Sequence, residues 1–70
     1  MDYSTHRFYI ALQKKYNANI EAATANAENL LENPIAIGEH SDLVGELNKY
    51  ISEISKNYED LETLKTFFGD

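Results

Sequence analysis

Two histidines and a scatter of carboxylates are the side chains in this sequence whose grouping first suggests chemistry. His40 stands beside Glu39, Asp42 and Glu46, a set of oxygen and nitrogen donors that would suit a divalent cation. The donors follow no spacing used by known metal sites, and a polar turn with a capping acid and a solvated histidine accounts for the same residues. His6 sits at the far end of the chain's fold from His40, so the two cannot share a metal within one chain. It is expected to end the core, opposite Phe68. Glu59, Asp60 and Glu62 could be read as an acid–base group, but they fall on an outward arc level with Lys14 and Lys15, as a solvated, ion-paired face would. The Glu-x-x-His pairs of di-iron bundles, a glycine-rich phosphate loop and a nucleophile with a partnering base are all missing from the sequence. The expectation is a chain that is not an enzyme, with no catalytic, cofactor or metal residues.

Composition points the same way. Seventy residues carry six Lys and Arg against twelve Asp and Glu, a formal charge of −6 and a pI near 4.7. Arg7, Lys14 and Lys15 are the only basic residues of the first half, too few for an electrostatic hold on nucleic acid, and no apolar run approaches a membrane span. The first residues lack the basic-then-apolar pattern of a signal peptide, so a cytoplasmic location is expected. Without cysteine, neither a disulfide nor a thiolate zinc site can brace the chain. A core of this size supplies only roughly 3–5 kcal/mol by itself.

The elements that must position any site are two helices. Pro34 and Gly38 punctuate the chain once, and the spacing predicts a single domain over residues 1–70, with a helix over about 5–32, a connection over 33–40 and a second helix over about 41–68. Ser4 or Thr5 should cap the first and Ser41 or Asp42 the second. Tyr9, Tyr16, Ile20, Ala23, Ala27 and Leu30 recur at threes, fours and a seven, and so do Val44, Leu47, Ile51, Ile54, Tyr58, Leu61 and Phe68. Both are seams of a 3.5-residue period, so the fold class is all-α. Folded back at Ile37, the chain brings Tyr16 level with Tyr58, Ile20 with Ile54, Ala23 with Ile51, Ala27 with Leu47 and Leu30 with Val44. The expected architecture is an antiparallel, coiled-coil-like two-helix hairpin.

One seam seldom holds so small a chain, and the flanks of this one do not look made for water. In heptad notation the g flank reads Leu12, Asn19, Asn26 and Asn33 with Leu43, Tyr50, Asn57 and Leu64, and carries no charge. The e flank reads Ile10, Asn17, Thr24 and Leu31 with Asn48, Ser55 and Glu62. A wide uncharged arc suits a helix with two neighbours, so a homodimer forming a four-helix bundle is expected, with Leu12, Leu43, Tyr50 and Leu64 on its interface. On that flank Asn19 and Asn57 come level and can hydrogen-bond each other. Phe8, Phe67 and Phe68 crowd the open end of the hairpin, with Tyr3 and Tyr9 near. They either close that end or receive a protein partner, which makes a regulatory adaptor for a host or viral protein the alternative function. Ile35 and Ile37 are expected to pack back over the hairpin tip.

The strings Tyr3-Ser4-Thr5-His6-Arg7-Phe8-Tyr9 with Ala11-Leu12-Gln13-Lys14-Lys15, and Asn33-Pro34-Ile35-Ala36-Ile37-Gly38-Glu39-His40-Ser41-Asp42, resemble those of small uncharacterised proteins of tailed phages that infect marine cyanobacteria. The resemblance implies a product made inside a bacterial host. It assigns no activity and carries over no functional residue.

Overall fold

The computed structural model describes residues 2–33 and 42–69. They form two helices of 26 residues each, α1 (Arg7–Glu32) and α2 (Leu43–Phe68), packed antiparallel, and no strand occurs among the described residues. The molecule measures 52 × 15 × 14 Å, the width of one helix pair. The expected connection, including Ile35, Ile37, Glu39 and His40, lies outside the described residues.

Each helix starts where a side chain satisfies a backbone N–H that has no carbonyl partner. Asp42 caps α2 as expected, its Oδ1 accepting from the Gly45 N–H at 3.0 Å. A Cβ at Gly45 would run into that same carboxylate, so glycine there leaves room for the cap. Glu46 in the first turn and Lys65 in the last complement the helix dipole. α1 departs from expectation. Ser4 and Thr5 are drawn into a preceding turn, in which Asp2 Oδ1 accepts from the Ser4 N–H at 2.8 Å and the Tyr3 carbonyl from the His6 N–H at 2.8 Å. His6, extended at φ −72° and ψ 138°, becomes the cap, and its Nδ1 accepts from the Phe8 N–H at 3.1 Å. It is exposed, not an end-of-core residue.

The N-terminal turn ties the two chain ends together. The Tyr3 N–H donates to the Phe68 carbonyl at 2.7 Å, one of the acceptors left over at the end of α2. The two rings lie 6.4 Å apart, tilted by 55°. Gly69 donates to the Lys65 carbonyl at 3.0 Å and sits against the Tyr9 hydroxyl; a Cβ there would fall 2.8 Å from that oxygen and 2.7 Å from the carbonyl. Glycine is required at this close approach.

The core is thin. Tyr9, Ala23, Ala27 and Leu30 of α1 and Leu61 of α2 are buried, and Tyr16, Ile20, Leu47 and Ile54 are half-buried. The first seam is therefore the expected one, but α2 is rolled about its axis. Val44, Ile51 and Tyr58, expected in the core, are 79%, 51% and 58% exposed, whereas Tyr50, Asn57 and Leu64 are half-buried. α2 carries apolar residues at a, d and g, so an a/d and a d/g seam compete for α1. The cross-helix Asn19–Asn57 hydrogen bond closes the g side and favours the second.

Candidate functional site

The residues expected to meet a partner divide between the two ends of the hairpin. At the open end, Phe8 and Leu12 lie one turn apart on α1, as Leu64 and Phe68 do on α2. With Tyr3, His6 and Tyr9 they wall an open, mainly apolar groove of about 370 Å³. Phe8 is 75% exposed and Phe67 is 70% exposed, so neither ring closes the end of the helix pair. The His6 ring lies 5.4 Å from that of Phe8 and has its Nδ1 occupied by the helix cap, which leaves Nε2 for any contact in the groove.

Leu43 belongs to a second groove, of about 300 Å³, near the hairpin tip with Leu30, Leu31, Val44 and Leu47. Tyr50 lies between the two ends, half-buried, with Lys49 Nζ 5.7 Å from its ring centroid. Leu12, Leu64, Phe8 and Phe68 are therefore brought together, while Leu43, Tyr50 and Phe67 are not part of the same patch.

A surface not singled out by the sequence pattern emerges from the roll of α2. Val44, Ile51 and Tyr58 form an exposed stripe at seven-residue intervals, and Leu31 of α1 is 64% exposed beside its upper end. The signal was there in the uncharged Asn48 and Ser55, which keep this side of α2 free of ionised groups as far as Glu62.

No group of three or more His, Cys, Asp or Glu side chains among the described residues is placed to hold a metal ion, and Glu39 and His40 lie outside them. Among the same residues no helix is long and apolar enough to cross a membrane. Among the described residues the clear electrostatic perturbation is at Asp2, whose carboxyl is held below its ordinary range, first by the Ser4 side chain and then by the Ser4 backbone N–H. This belongs to the N-terminal turn. No protein-family model, curated protein or solved structure matches this chain at a significant level.

Proposed function

We propose that this chain is a non-enzymatic structural or protein-interaction module that works as a helical homo-oligomer, a dimer completing a four-helix bundle. The observation that carries the reading is the imbalance of burial. Among the described residues only five apolar side chains are buried, two of them alanines, and no large side chain is fully enclosed, while nine large apolar side chains stand exposed. A chain this small gains little from one seam, and a second hairpin would supply the missing layer. The acidic surface speaks against nucleic acid as the partner. In the setting implied by the phage resemblance, the place of work is the host cytoplasm.

Sedimentation equilibrium over a dilution series, with helicity followed by circular dichroism, tests this. A dimer that loses helix as it dissociates is expected. A stably folded monomer at micromolar concentration would overturn the reading and favour the second one, an adaptor that receives a host or viral protein at its open end. The observation behind that alternative is the groove around Phe8 and Phe68, with Phe8 and Phe67 left exposed.

A further inference from the structure

Among the described residues, one flank of the helix pair has no neighbour along most of its length. α2 presents Val44, Ile51 and Tyr58 there, and α1 presents Ile10, Asn17, Thr24 and Leu31 at the same seven-residue interval. Leu31 and Val44 wall the same groove, which places the two stripes side by side. A seven-residue repeat is the pattern of a shallow-angle helix contact, the kind found in four-helix bundles.

We infer that this flank is covered by a second copy of the chain, inverted by a two-fold axis so that α1 packs antiparallel to α1 and α2 to α2. The inference rests on the oligomer reading above and names its surface. The stripes are complementary to themselves when read backwards. On α1, inversion sets Ile10 against Leu31 and Asn17 against Thr24, apolar on apolar and amide on hydroxyl. On α2 it sets Ile51 against Tyr58, and Val44 against the aliphatic stem of Lys65. The charges agree at the ends of the stripe, and only Glu21 meets its own copy near the axis. The outer edge of the α1 stripe reads Arg7, Lys14, Glu21 and Glu28, positive toward the open end and negative toward the tip. Inversion brings Lys14 of one copy beside Glu28 of the other. An axis running along the bundle would instead set Leu31 against Val44, Thr24 against Ile51, Asn17 against Tyr58 and Ile10 against Lys65, with one apolar pair where inversion gives two. On α2 the g flank has less to give, because Tyr50, Asn57 and Leu64 are already half-buried within one chain whereas Val44, Ile51 and Tyr58 are exposed.

The chain has no cysteine, so single cysteines report the contact. Ser55, exposed, falls near the axis; Ser55→Cys is expected to join two chains through a short bismaleimide linker at micromolar concentration. Asn26→Cys, exposed on the opposite flank, is expected not to. Ile51→Glu should weaken dimerisation by about tenfold or more in sedimentation equilibrium, since it sets a charge in the contact. Reversal of both charges in one chain, Lys14→Glu with Glu28→Lys, should restore what Lys14→Glu alone loses. A dimer in which Asn26→Cys links and Ser55→Cys does not overturns this face and its axis while leaving the oligomer reading intact. A monomer at every concentration overturns both.

Discussion

Asn19 Nδ2 donates to Asn57 Oδ1 across the helix pair at 3.0 Å, and Asn57 Nδ2 donates in turn to the Glu53 carbonyl at 2.7 Å. The second bond holds the Asn57 amide in one orientation, with its oxygen aimed at α1. A slide of one helical turn would carry that oxygen about 5.4 Å along the axis and break the pair. A polar pair of this kind selects a register that apolar seams, which fit nearly as well one turn away, do not select by themselves.

The first prediction concerns this pair. Asn19→Ala and Asn57→Ala should each lower the unfolding free energy by about 0.5–1.5 kcal/mol, the ordinary net worth of such a bond. The double substitution should cost less than the two singles added together, because either one removes the same bond. Urea denaturation of the four proteins measures the coupling, and strict additivity would mean that the bond contributes nothing.

The second concerns the start of α2. Gly→Ala inside a helix is normally stabilising by about 1 kcal/mol. At Gly45 a methyl group would displace the Asp42 carboxylate from its cap, and losing a cap costs about 1 kcal/mol. Gly45→Ala should therefore be close to neutral in the natural sequence. In an Asp42→Ala background, where no cap remains to be lost, the same change should stabilise by about 1 kcal/mol. Equal effects in both backgrounds would show that cap and methyl coexist.

These cases show what was legible in the residues. The two helices, the Asp42 cap and the level placement of Asn19 with Asn57 follow from spacing and from residue type. The roll of α2 does not, because Val44, Ile51 and Tyr58 at a and Tyr50 and Leu64 at g are both apolar stripes beside the same d positions. A pattern of apolar against polar cannot rank them; a side-chain hydrogen bond does. The cap of α1 escaped for a similar reason. Ser4 and Thr5 are good caps by type, but Asp2 engages the Ser4 N–H first and shifts the start of α1 by two residues, onto His6. At the open end the aromatic cluster was readable as a cluster. Whether its rings close that end or stand exposed stayed open in the residues, and the contact of Phe68 with the N-terminal turn depends on Tyr3 reaching the Phe68 carbonyl.

The third prediction follows from the Asp2 carboxylate. Its pKa is lowered in the folded chain, so ionised Asp2 binds its partners in the native state and not in the unfolded one. A depressed carboxyl stabilises the fold above its unfolded pKa, and the contribution is lost as pH falls through the lowered value. The Asp2–Ser4 hydrogen bond should therefore hold at neutral pH and be lost as the carboxyl is protonated, while the backbone bonds of the turn do not depend on it. A carbon-detected titration of the Asp2 carboxyl, with the Ser4 amide shift followed in parallel, should show both moving together below the ordinary aspartate range. A Ser4 amide that does not respond would uncouple the turn from the carboxylate.

The last prediction tests the packing between the helices. Ala23 is only 1% exposed, the most deeply buried of the core residues, and it lies in the interior of α1. Leucine at this position keeps helix propensity nearly unchanged, so any effect must come from volume. The added isopropyl group meets a position already packed, and overpacking of this sort costs about 1–3 kcal/mol. Ala22 is exposed on the same turn and supplies the control: Ala22→Leu places the same side chain in solvent. Thermal and urea unfolding should show Ala23→Leu destabilised by that amount and Ala22→Leu within about 0.5 kcal/mol of the natural sequence. If the two variants unfold alike, α2 can swing away from Ala23 without cost, and α1 then meets α2 through Tyr9 and Leu30 at the ends instead of through its alanines in the middle.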